Sequence, residues 1–226
     1  MNKKFVEEID AILKEKSLLR HPFYKMWSEG RLSLDTLRGY AVEYYSLEAA
    51  FPKFLLQLRE HGPDSSDDKV LMENYAEETA KGKTHVGLWL DFAEGLGLSR
   101  ADVENSRTLD STRETLAQIR SLVKMGYLSG IAALLAYEAN LQETSVTKIE
   151  GLKKHYGLTD KKSTEFFALH GIVDVKHSND WRIILSKNAK TEEQREEVKR
   201  AVGKSMDALW SFLDGINERY NEGRAC

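Results

Sequence analysis

Apolar side chains recur along this chain every third or fourth residue, as in Phe5, Ile9, Ile12 and Leu13, the spacing that lines one side of a helix. Period-two alternation closed by hairpin turns, the mark of paired strands, is missing. Only Pro22, Pro52 and Pro63 interrupt the chain, so nothing after Pro63 carries a helix-breaking ring. Helix starts are signalled by Ser33 with Asp35, Ser99 with Asp102, Ser129 ahead of GIAALLAYEANL, Thr159 with Asp160, and Thr191 with Gln194 three residues on. Gly62, Gly97, Gly126 and Gly157 follow periodic segments as stops. The pattern predicts helices near 4–18, 23–29, 34–61, 67–96, 100–105, 111–125, 129–156, 160–186 and 192–220. Pro52 should kink the third, and Gly82 and Gly171 should weaken the fourth and eighth locally. With no linker or repeat to divide it, 1–226 is expected to form a single all-α domain, a helical bundle.

Composition narrows the function classes. A length of 226 residues suits one domain, and 33 Lys+Arg against 36 Asp+Glu leave a formal charge of -3. Without a basic excess, neither nucleic acid nor an anionic membrane surface is an expected partner. The longest apolar stretch, Gly130 to Tyr137, falls far short of the ~20 residues that cross a bilayer, so no membrane span is expected. Cys226 is the single cysteine, which rules out an intrachain disulfide or a cysteine zinc site and suits the cytoplasm. A homodimer is the expected assembly if the chain self-associates, because closed two-fold oligomers are commonest.

The run LHGIVDVKH carries the clearest chemistry. His170, Asp174 and His177 stand at i, i+4 and i+7, which on a helix aims them into a sector of about 60° along roughly 10 Å. A solvated polar face is the bland alternative. Three aligned ligand-type groups weigh against it, and Ile172, Val173 and Val175 suggest a face close to the core. In EETAKGKTH, Glu78 and His85 are seven apart and about 20° from alignment on a continuous helix, whereas Glu77 is about 80° off. Glu138 sits among Ile131, Leu134, Leu135 and Leu141, where an ionised carboxylate is expensive unless paired, hydrogen-bonded or metal-bound.

Together these segments offer three carboxylates and three imidazoles on three helices, a set suited to two divalent ions. Bundles that bind two metals usually use Glu-x-x-His at i, i+3, and the spacing here differs. Without metal, three like charges would crowd a poorly hydrated space, so metal should stabilise the fold. The aromatics Phe23, Tyr24 and Trp27, and Tyr40, Tyr44, Tyr45, Phe51 and Phe54, read as core with their hydroxyls satisfied. Lys148 lies ten residues beyond Glu138 on the same predicted helix, about 80° short of a whole number of turns; a solvated lysine is the default.

The segments HPFYKMWSEGRLSLDTLRGYAVEYY, AFPKFLLQL, EETAKGKTHVGLW, AALLAYEANL, TKIEGLKKHYGL and ALHGIVDVKH follow one another over nearly the whole chain. In this order they resemble the family of the chlamydial protein associating with death domains, within the heme-oxygenase-like, TenA/PqqC-like superfamily. The resemblance implies a bundle of about seven main helices and a dinuclear Fe/Fe or Fe/Mn site held by Glu78, His85, Glu138, His170, Asp174 and His177. It further implies oxygen-dependent synthesis of 4-aminobenzoate for folate, with O2 as co-substrate and an external reductant. The substrate would be the protein's own tyrosine: Tyr24 in HPFYKMW is consumed, Lys148 in TKIEG is the candidate amino donor, and Tyr40 in RGYAVEYY relays oxidation. The resemblance supports metal chemistry and not a host-signalling role.

Other readings of the same fold differ in what they need. A TenA-like thiaminase requires a cysteine nucleophile inside the bundle, and only Cys226 is present. A heme-binding relative would use one axial histidine, such as His21, and leave Glu138 and the His170 segment without a task. A PqqC-like oxidase would take an external quinone precursor without metal. An interaction module would neither bind metal nor consume oxygen.

Overall fold

The computed structural model describes residues 2–221; Cys226 lies outside the described residues. Eleven α-helices and one 3-10 turn make up its regular structure, and no strand occurs among the described residues. The start signals work as read in most places. Ser33 and Ser99 cap α3 (Leu34–Arg59) and α6 (Arg100–Glu104). Asp160 caps α10 (Lys161–Asn188), and Thr191 forms a reciprocal capping box with Gln194 at the head of α11 (Glu192–Tyr220). Ser129 is an exception: α8 (Tyr127–Glu138) begins two residues earlier, after an extended Gly126, and the Ser129 hydroxyl donates to Glu197 Oε1 instead. Pro52 has no amide to offer the Glu48 carbonyl one turn back, yet α3 continues through it as one helix to Arg59.

The count exceeds seven partly because two expected long helices are each broken into two. The 67–96 segment divides into α4 (Ser65–Glu78) and α5 (His85–Gly95). Gly82 between them adopts φ +89°, a left-handed backbone that no helix continues through, and Thr84 caps the new start by accepting from the Gly87 amide at 2.9 Å. The 129–156 segment divides into α8 and α9 (Leu141–His155). There Asn140 Nδ2 donates to the Ala136 carbonyl, the acceptor its own amide would use in an unbroken helix.

Packing follows from the apolar faces. α11 lies along α8 and α7 (Asp110–Met125), α10 along α9, α5 and α8, and α3 along α4, α5 and α7. One buried apolar cluster runs from Phe5 in α1 (Lys3–Glu15) to Ile216 in α11, with Trp27, Trp89 and Trp181 fully inside it. No helix among the described residues is long and apolar enough to cross a membrane. Helices α3, α4, α5, α8 and α10 all contribute side chains to one interior region, and those side chains are polar.

Candidate metal centre

All six residues expected as ligands are buried: Glu78, His85, Glu138, His170, Asp174 and His177 are each at most 5% exposed. α10 turns its polar side inward. His170, Asp174 and His177 face the interior while Ile172, at 74% exposure, and Val175 face solvent, the reverse of an ordinary amphipathic helix. Glu138 ends α8 and accepts from the Trp181 indole and from Asn74 Nδ2, the latter at 3.3 Å. Its Oε1 lies 3.4 Å from His177 Nδ1, which is 3.6 Å from Asp174 Oδ1. Glu78, the last residue of α4, places Oε1 2.9 Å from Nδ1 of His85, the first residue of α5. They meet across a loop and not along a helix face.

Two groups of donor atoms result, each gathered within 4.8 Å: Glu138 with Asp174 and His177, and His85 with His170 and Glu48. Glu48, on α3, was not among the expected residues. Its Oε1 lies 3.9 Å from His170 Nε2 and its Oε2 accepts from the Tyr137 hydroxyl at 3.3 Å. A signal for it exists: Tyr40, Tyr44, Glu48 and Phe51 fall at i, i+4, i+8 and i+11, a carboxylate in a buried aromatic stripe. Glu77, set aside on angle alone, accepts from His177 Nε2 at 2.7 Å from the rim of the site. His170 is held similarly, its Nδ1 donating to the Phe166 carbonyl at 2.8 Å. In both rings one nitrogen is committed to an oxygen and the other is aimed inward, the arrangement by which metal-binding histidines are oriented.

The donor set fits two divalent cations. Glu78 Oε2 and Asp174 Oδ2 are buried without a hydrogen-bond partner, and His85 Nδ1 and His177 Nδ1 meet carboxylate oxygens at 2.9 and 3.4 Å without good hydrogen-bond geometry, so polar atoms are gathered here that the fold alone does not satisfy. Burial first, then neighbouring carboxylates, pushes Glu78 well above the usual carboxylate range, and Glu48 and Asp174 rise for the same leading reason. Burial pulls His85 and His170 down. His177 is the exception: burial alone would pull it down, but the Asp174 and Glu138 carboxylates beside it outweigh that and push it up to about 11. Carboxylates gathered in such an interior become favourable once cations neutralise them.

A second polar island lies among the aromatics. Lys148 on α9 is 0% exposed, and its Nζ has no hydrogen-bond partner. It sits 5.4 Å from the ring centres of Tyr24, Tyr40 and Tyr44, and burial lowers its pKa to about 7. Local packing explains how Tyr24 on α2 (Pro22–Ser28) comes to be there. A Cβ on Gly151 would strike the Trp27 ring at 2.5 Å, so the missing side chain lets α2 lie against α9, where the Trp27 indole donates to the Lys148 carbonyl at 3.2 Å. The phenols link this island to the acidic one: Tyr24 and Tyr40 hydroxyls are 3.4 Å apart, the Tyr40 and Tyr44 rings 5.5 Å, and the Tyr44 and Tyr137 hydroxyls are hydrogen-bonded at 2.8 Å. His21 is engaged elsewhere, accepting from the Phe23 amide through Nδ1 and meeting Asp214 through Nε2, so neither nitrogen is free for an axial bond to heme.

A helical bundle that gathers two clusters of imidazole and carboxylate in its interior has the make-up of a metal-dependent redox protein. The chain belongs to the family described as iron-containing redox enzymes, whose model matches residues 38–210. It is 35% identical over 232 residues, 98% of this chain and 94% of the relative, to a 4-aminobenzoate synthase of Nitrosomonas europaea. A 4-aminobenzoate synthase of Chlamydia pneumoniae is 31% identical, with 94% of each chain covered. A pyrroloquinoline-quinone synthase of Gluconobacter oxydans is more distant, at 25% over 90% of this chain and 87% of its own. Among solved structures, a TenA homologue from Pseudomonas syringae superposes with a TM-score of 0.81 at 16% identity, covering 96% of this chain and 92% of that one, which speaks for the heme-oxygenase-like fold.

Proposed function

We propose that this redox enzyme is a cytoplasmic, self-sacrificing 4-aminobenzoate synthase that uses O2 and an external reductant. Two divalent ions, Fe/Fe or Fe/Mn, would be held by Glu78, His85, Glu138, His170, Asp174 and His177, and when bound they supply the capacity to activate O2. The observation that carries the reading is the buried, unpartnered Lys148 amine beside the Tyr24 ring. A lysine is rarely buried without a partner, and one with a lowered pKa is an amine able to act as a nucleophile.

The tyrosine side chain already holds a para-substituted ring with a carbon at the position of the future carboxylate. Conversion to 4-aminobenzoate breaks the Cα–Cβ bond and oxidises Cβ to the carboxyl carbon at the expense of O2; at the other end of the ring the phenol C–O bond breaks, its oxygen leaving as water, and the Lys148 Cε–Nζ bond breaks as the nitrogen passes to the ring carbon. α2 and α9 hold the buried ring and the buried amine 5.4 Å apart, which would remove the entropy of bringing two reactants together but limit each chain to a single turnover. Tyr40 would take a proton and an electron from Tyr24, a role supported by the 3.4 Å between their hydroxyls. Tyr44 and Tyr137 extend that route toward the carboxylates.

Protein loaded with Fe2+ and Mn2+, then given reductant and O2, should release 4-aminobenzoate in an amount no greater than the number of chains. Tyr24→Phe should retain metal and release none, and Lys148→Arg should release at most a small fraction. Undiminished release from Tyr24→Phe would overturn the proposal.

A further inference from the structure

α3 carries two buried carboxylates with different surroundings. Glu43, 1% exposed, accepts from the Leu109 amide at 3.0 Å and the Thr112 hydroxyl at 2.5 Å, a carboxylate satisfied by the fold. Glu48, 2% exposed, receives one long hydrogen bond from Tyr137, and its other oxygen faces His170 Nε2, the nitrogen not occupied by the Phe166 carbonyl. The space it borders is shared with Glu78, Glu138, His170 and Asp174. We propose that Glu48 is a seventh protein ligand, completing the His85 and His170 half of the centre. This rests on the two-metal reading above.

Three arguments support it. First, the two halves become comparable: Glu138, Asp174 and His177 form a one-imidazole, two-carboxylate group, and Glu48 with His85 and His170 forms a two-imidazole, one-carboxylate group. Second, the charges balance. Two divalent ions carry four positive charges against the three carboxylates of Glu78, Glu138 and Asp174, and Glu48 supplies the fourth negative charge in an interior where an uncompensated one is expensive. Third, a structural role does not account for Glu48: a buried carboxylate with one long hydrogen bond is under-satisfied, and its other oxygen meets only His170 Nε2, at 3.9 Å. As a ligand Glu48 would also join the centre directly to Tyr137 and so to the phenols that lead to Tyr24.

Metal-stripped protein titrated with Co2+ and followed by visible absorption separates the possibilities without recourse to activity. The unsubstituted chain should bind two equivalents. Glu48→Gln keeps the shape and an acceptor for Tyr137 but loses the charge, and one of the two equivalents should weaken by at least about tenfold, since even indirect partners of a metal contribute about 10–100-fold. Tyr137→Phe removes the hydrogen bond but leaves the carboxylate, and should bind both equivalents. Circular dichroism of the metal-free variants checks folding; if Glu48→Gln does not fold, Glu48→Asp, one methylene shorter, should show the same selective weakening. Two equivalents bound with unchanged affinity in whichever variant folds overturns the Glu48 assignment and leaves the two-metal reading standing. Fewer than two equivalents in the unsubstituted chain overturns the two-metal reading itself.

Discussion

In the proposed reaction Lys148 is a residue that opposes stability where it would serve chemistry. Burial is the leading cause of its pKa of about 7, with Glu48 and Asp174 pulling weakly the other way. Below about pH 7 the amine is charged and cannot attack, so single-turnover release of product should rise between pH 6 and pH 8 and then level. The stability consequence has a definite sign. Its pKa in the folded chain lies below the ordinary 10.5, so the unfolded chain binds the proton more tightly, and this residue's contribution becomes more favourable to folding as pH rises from about 7 to 10.5. Lys148→Met replaces an unpartnered buried amine with an apolar chain of similar length, which should stabilise the metal-free protein at pH 7 by about 1–3 kcal/mol while abolishing product release. Chemical denaturation of the two proteins checks the first part, and a Lys148→Met variant less stable than its parent would show that the amine has a partner in solution.

Among the elements, the α4–α5 junction shows what the sequence made legible and what it did not. Glu78 and His85 do come together, but for a different reason: a continuous helix would align them at seven residues apart, whereas the chain breaks at Gly82 and brings them together across the turn. Glycine weakens a helix wherever it falls, and only tertiary packing decides whether the helix bends, continues or stops. On α10 the polar spacing identified the inward face correctly, but the apolar neighbours argued for it wrongly, since Ile172 and Val175 are on the outside. Glu48 stayed hidden because its significance depends on which helix faces α3, a long-range fact that no local pattern contains. Capping at the junction is testable. Thr84→Ala removes the acceptor for the Gly87 amide and should lower stability by about 1 kcal/mol, or about 2–4 °C in melting temperature for a chain of this size. Because His85 is the first residue of α5, metal affinity should fall as well. Thermal melts with and without Mn2+ measure both, and an unchanged difference between them would mean that the cap does not position His85.

In the whole molecule, two polar islands are embedded in one apolar cluster and joined by a row of phenols. Such an interior is costly to fold empty, because Glu48, Glu78 and Asp174 are pushed upward by burial and by neighbouring carboxylates. It becomes reasonable if the protein is itself the reactant, since a substrate built into the chain needs no open channel and no binding step. The decisive comparison is between internal and external tyrosine. Protein grown with ring-labelled tyrosine, loaded with metal, and given reductant, O2 and unlabelled free tyrosine should release labelled 4-aminobenzoate, and the peptide containing Tyr24 should lose the corresponding mass. Release of unlabelled product over many turnovers, with the Tyr24 peptide intact, would contradict the account and return Tyr24 to the role of a packed aromatic.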